Sequence, residues 1–173
     1  MDKLDKRIEK SLSYSILDGS FYSAMVGLGE SFFSAFAVFL NANNIQLGLI
    51  GSLPQAMGSL SQLFSNKMIL LFKSRKKPVC LFSLIQGLMY IPIILVLFLG
   101  EFKNYYLIFF SIVYWILGAV VNPAWNSWMG DLVNENSRGK YFGKRNKITG
   151  LFTFVSYLFG GFILHRFSEI KET

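Results

Sequence analysis

Glu30 stands deep within a long apolar stretch that runs from Tyr14 to Leu40. A carboxylate at mid-helix in hydrocarbon costs about 2.5–3.5 kcal/mol on insertion scales, so such a group faces a cavity or a partner. There it carries a proton or pairs with a cationic solute; the alternative is a structural carboxylate shared between helices or held near the outer interface. Val26, Gly27 and Ser34 lie one helical turn from it and Ser23 two. Asn122 and Asn126 are also one turn apart, and Pro123 between them removes a backbone donor and frees a carbonyl. Their amides have two uses, to hydrogen-bond a solute or to tie one helix to another. Trp125 is suited to stack on an organic solute or to anchor at a membrane surface. Gln55 adds a polar group to the same set. It shares a helix face with Gln62, and these two and Gln86 also fit interhelical contacts.

No catalytic constellation accompanies these residues, which argues against an enzyme. The single histidine, His165, forms no triad and no histidine metal cluster, and the single cysteine, Cys80, rules out an internal disulfide and any cysteine-based metal site. No glycine-rich phosphate loop follows a strand. No metal and no cofactor is expected.

The elements that position these groups are membrane helices. The chain has 173 residues, of which 53% are hydrophobic and only 16% charged, against about a quarter charged in an average soluble domain. Apolar stretches over about 14–40, 46–72, 78–100, 105–129 and 148–164 each approach or exceed the roughly 20 residues that cross a bilayer as helix. The reading is an all-α polytopic bundle of five transmembrane helices. Lys3, Lys6, Arg7 and Lys10 precede the first stretch; Lys73, Arg75, Lys76 and Lys77 separate the second from the third; Arg138, Lys140, Lys144, Arg145 and Lys147 separate the fourth from the fifth. The two intervening gaps carry almost no charge. Short loops rich in Lys and Arg stay cytoplasmic, so the amino terminus is expected inside, in an inner or plasma membrane. The net charge of +7 thus follows a membrane topology and meets anionic headgroups, which argues against nucleic acid as a partner.

Small residues mark the faces expected to pack. Gly19, Ser23, Gly27, Ser31 and Ala35 recur every four residues on the first helix, and Gly48, Ser52, Ala56 and the nearby Ser59 repeat the device on the second. Such stripes let helix backbones approach closely in a membrane. Gly118, Asn122, Asn126 and Gly130 share a partly polar face of the fourth helix, while Ile91 to Leu99 on the third reads as lipid-facing. Asp18 sits near the inner end of the first helix, where pairing with a loop lysine accounts for it. Trp128, Tyr105 and Tyr106 join Trp125 near helix ends, where aromatic belts form.

At the fourth helix the sequence becomes specific. The run Asn122-Pro123-Ala124-Trp125-Asn126-Ser127-Trp128-Met129-Gly130-Asp131-Leu132-Val133, followed by Arg138-Gly139-Lys140-Tyr141-Phe142-Gly143-Lys144-Arg145-Asn146, resembles helix 4 and loop 4–5 of an uncharacterised bacterial branch of major facilitator superfamily permeases. Leu17 to Tyr22 and Val26 to Ser31 resemble helix 1, and Ser52-Leu53-Pro54 with Ser74 to Lys77 resemble helix 2 and loop 2–3. The resemblance runs from about Ser13 to Leu164. It implies a fold of twelve helices in two halves, with this chain as an amino-terminal half lacking its sixth helix, and with the carboxyl-terminal half as partner. It implies secondary transport of a small solute by alternating access, through a cavity lined mainly by helices 1 and 4. It also places Asp131 and Arg138 at a cytoplasmic gate, where Asp131 meets Arg75 or Lys76. The alternative to a gating pair is a surface ion pair contributing about 0–1 kcal/mol.

Two departures from the family pattern bear on mechanism. Ser61 or Gln62 stands where the loop 2–3 motif has its glycine, and Asn66-Lys67 where it has an acidic–basic pair. The arginine found within helix 4 of proton antiporters is absent, which argues against proton antiport. The runner-up is a non-transporting membrane protein that stabilises another complex.

Overall fold

The computed structural model describes residues 3–172, and side chains from 7 to 166. These residues form helix and no strand, in five rods. In the first, α1 (Lys3–Leu28) passes through a 3-10 turn, Glu30–Phe32, into α2 (Phe33–Phe39); in the second, α3 (Asn44–Ser61) passes through Gln62–Phe64 into α4 (Ser65–Phe72). The third comprises α5 (Lys76–Leu88), α6 (Tyr90–Leu95) and the 3-10 turn Val96–Phe98, and the last two are α7 (Lys103–Leu132) and α8 (Arg138–Glu172). Among the described residues, four stretches are long and apolar enough to cross a membrane: Arg7–Phe39, Lys76–Phe98, Gly100–Leu132 and Glu135–Arg166. The second rod is not one of the four; Gln46, Gln55, Gln62, Asn66 and Lys67 all lie along it.

The chain divides into two compact bodies, one of Met1–Phe32 with Leu132–Thr173, the other of Phe33–Asp131. In the first, α1 and α8 run parallel. Residue numbers rise together along the seam, from Tyr141 whose hydroxyl donates to the Leu12 carbonyl at 3.2 Å, to Phe32 stacked on Tyr157 at 5.4 Å. Gly27 makes the close approach possible: a Cβ there would lie 2.6 Å from the Thr153 carbonyl oxygen and 2.7 Å from Ser156 Cβ.

The second body is held together across α2, α3, α4, α5, α6 and α7. Phe33, Tyr90 and Tyr114 form a three-ring cluster with centroid separations of 5.3–6.0 Å, and Tyr114 is wholly buried. Tilted and edge-to-face rings at such distances set opposite quadrupole signs against each other. Nearby, Gln86 is packed against Gly118, where a Cβ would lie 2.5 Å from the amide nitrogen. Ser65 donates its hydroxyl to the Val120 carbonyl at 2.9 Å, and Ser61 donates to Gly58 and, more weakly, to Ile116. Pro54 is fully buried in α3, where it lacks the N–H that would bond the carbonyl of Ile50.

Several expectations change here. Helix begins at Lys3 and again at Arg138, well before the apolar stretches at 14 and 148. Hydropathy locates where a helix enters the membrane, whereas Lys and Arg are good helix formers that extend it into water. The small-residue stripe of the first rod holds only to Gly27. Ser31 and Ala35 are exposed, because the 3-10 turn re-phases the rod and buries Phe33, Ala37 and Leu40 instead. On α3 the stripe of Gly48, Ser52, Ala56 and Ser59 faces outward. The buried face is Gln46, Ile50, Pro54, Gly58 and Ser61, where Gly58 admits the Trp115 carbonyl and serine hydroxyls cap carbonyls of α7. On α6 and the 3-10 turn after it, Ile93 and Val96 turn inward while Ile91, Ile94 and Phe98 face out.

Candidate functional site

Arg75 and Asp131 form an ion pair within the second body. The turn between α4 and α5 brings them together. Lys73 ends α4 in the left-handed region at φ 48°, the chain reverses, and Arg75 precedes α5, from which its guanidinium also reaches the Ser127 carbonyl at 3.4 Å. Asp131 lies near the end of α7, one turn past Ser127. The two side chains are 39% and 68% exposed, so water screens the pair and its stabilisation is about 0–1 kcal/mol. A weak, solvent-open pair is cheap to break. Lys76 is exposed at the start of α5, and Arg138 opens α8 in the first body.

Upstream on α7, Asn122, Asn126 and Ser127 form an exposed polar face in a helix otherwise apolar enough to cross a membrane. The opposite face is packed: Val121 and Ala124 join Val79 in a small core against which Ile69, Phe82, Trp125 and Trp128 rest. Trp125 is therefore half-buried in that packing. Gln55 is exposed on α3, and Gln86 is nearly fully buried between helices, an interhelical contact.

In the first body, Glu30 begins the 3-10 turn that breaks the first rod, half-buried immediately after Gly29. A break in the helix leaves backbone groups outside the regular ladder, and at membrane depth these need protein or water as partner. Asp18 feels the charge of Arg145, which approaches from α8 and donates to the Ser15 carbonyl at 3.4 Å. Gly19 makes room for that guanidinium; a Cβ at 19 would lie 2.5 Å from its terminal nitrogen. The cation whose charge reaches Asp18 is thus Arg145, on α8, and its hydrogen bond goes to the Ser15 carbonyl.

Sequence reasoning passed over a polar knot at the other end of the second body. Asn43 caps α3 in a reciprocal box with Gln46: the Asn43 side chain accepts from the Gln46 N–H at 2.9 Å, and Gln46 Oε1 accepts from the Asn43 N–H at 3.0 Å. The same Oε1 takes a second donor, Asn104 Nδ2 at 3.2 Å, from the first turn of α7. The Asn-x-x-Gln spacing at 43–46 is a capping signature that was legible in the chain. Nothing in the spacing pointed to Asn104. Among the described residues no group of three potential metal ligands occurs.

The sequence model of the Major Facilitator Superfamily matches residues 16–169. No curated protein and no solved structure gives a match. The matched span takes in both bodies and all five rods, and leaves out only the ends of the chain.

Proposed function

The chain belongs to the major facilitator superfamily, and from that premise we propose that it forms part of a secondary transporter that moves a small solute across a membrane by alternating access. The observation that carries this reading is the family match across 16–169. Members of the family are transporters and multi-pass membrane proteins, and four long apolar helices agree with that class. Two features support the finer reading. Asn122, Asn126 and Ser127 are exposed on a helix of high hydropathy, where lipid would leave their hydrogen-bonding groups unsatisfied and a water-filled path would not. Arg75 and Asp131 form a pair weak enough to serve as a two-state contact, made in one conformation and broken in another.

In this proposal Glu30, Asn122, Trp125, Asn126 and Gln55 contact the solute or its coupling ion, and Arg75, Lys76, Asp131 and Arg138 belong to the cytoplasmic gate. The interleaved basic gaps support a cytoplasmic amino terminus in a cell membrane. The family's two-half plan supports a carboxyl-terminal half as the partner that completes the path. The test is uptake of a panel of small solutes by proteoliposomes holding the chain alone or with such a half. Transport is expected only from the combination, and Asp131→Asn is expected to slow it while expression stays level. Uptake by the chain alone would contradict the need for a partner, and equal loss of rate and expression would remove the gate.

A further inference from the structure

The first three turns of α8 separate their charges onto different sides. Arg145 turns to α1 and is held at the Ser15 carbonyl. Lys140, Lys144 and Lys147 are spaced i, i+4, i+7, which at 3.6 residues per turn puts them within about 60° of one another, and all three are exposed. Among the described residues no ion pair engages them. Beside this basic face, about 40–60° round the helix from the nearest of the three, lie Gly143 and Gly150. A Cβ at either glycine would meet nothing within 4 Å.

Position along the axis identifies the ligand. Lys147 immediately precedes the apolar run that starts at Ile148, and Lys140 lies seven residues before it. At 1.5 Å per residue that span is about 10 Å, close to the roughly 5–8 Å of headgroup region on each side of a bilayer once lysine stems reach along it. The three ammonium groups are therefore stacked at headgroup depth, and the open glycine flank continues past them into the apolar run. We propose that Lys140, Lys144 and Lys147 bind the headgroup of an anionic glycerophospholipid, with the glycine flank at Gly143 and Gly150 giving its glycerol and upper acyl chains access to the helix backbone. Charge complementarity at that depth selects the anionic lipid over a zwitterionic one.

The experiment titrates phosphatidylglycerol or phosphatidylcholine into detergent-solubilised full chain and reads the apparent affinity from the rise in unfolding temperature. At about 1 kcal/mol per lysine near a charged surface and 1.4 kcal/mol per tenfold, the variant Lys140→Gln/Lys144→Gln/Lys147→Gln is expected to lose on the order of 100-fold for phosphatidylglycerol. Its unfolding temperature in phosphatidylcholine should match the parent. The charge-matched control Lys67→Gln/Lys73→Gln/Lys77→Gln is expected to keep the affinity within a few-fold. An unchanged affinity in the first variant, or an equal loss in the control, would overturn the proposal. Should the first variant not fold, Gly143→Leu, which keeps every charge and fills the open flank, is read in the same way.

Discussion

The two bodies solve one problem, packing helices where water drives nothing together, by different means. The pair of α1 and α8 relies on absent side chains: Gly27 lets one backbone lie against the other, and Gly19 leaves space for one guanidinium. The body of Phe33–Asp131 relies on present ones. Three aromatic rings close its middle, and serine and glutamine side chains reach from α3, α4 and α5 to the backbone of α7. The first solution is intolerant of added volume, whereas the second is intolerant of lost volume. Lipid tails are as apolar as leucine, so close packing and hydrogen bonds decide helix association in both.

Substitutions can break the contrast in order of size. Tyr114→Ala removes the only member of the aromatic cluster that is wholly buried, and is expected to cost about 3–5 kcal/mol, seen as a large fall in unfolding temperature in detergent. A shift below that of the next variant would mean the rings are peripheral to stability. Gly27→Val forces a Cβ to within 3 Å of the Thr153 carbonyl and Ser156, for an expected cost of about 1–3 kcal/mol. Crosslinking between cysteines placed at Leu12 and Tyr141 should report the seam loosening while the second body keeps its own protection from hydrogen exchange. Ser65→Ala deletes a single hydroxyl bond to α7 and is expected to cost about 0.6 kcal/mol, measured as a small shift in the same melt. Asp131→Asn should change stability least, by about 0–1 kcal/mol for an exposed pair. If it destabilises as much as Gly27→Val, the pair is a structural tie and a poor candidate for a gate.

How far the sequence foretold this arrangement differs between the bodies for a physical reason. Gly19 and Gly27 were legible as a packing stripe because a close backbone approach has one chemical signature, the missing side chain. The long apolar runs gave the number of rods and the all-helical class, since spanning a bilayer demands about 20 residues whatever their partners. The encounter of Arg75 with Asp131 was expected from the family resemblance, which set Asp131 against Arg75 or Lys76. What escaped depended on rotation about the helix axis. The same small-residue logic chose Gly48 and Ser52 on α3, yet Gly58, Ser61 and Ser65 face α7. Sequence periodicity cannot decide between two faces that are both small and polar. The Phe33–Tyr90–Tyr114 cluster and the Gln46–Asn104 bond unite residues far apart in the chain, and no local pattern announces them. Arg145 was counted with a basic loop, because its place on α8 depends on helix continuing beyond the membrane.

The most direct test of a water-filled path is the accessibility of the polar face of α7. In a Cys80→Ser background, Asn126→Cys and Leu158→Cys would be challenged with a charged, membrane-impermeant maleimide in intact membranes. Both positions are exposed in the chain, one on the polar face and one on the apolar face of α8. A transport path predicts rapid labelling at 126 and almost none at 158. Equal resistance at both would place Asn126 against lipid or protein and contradict the account.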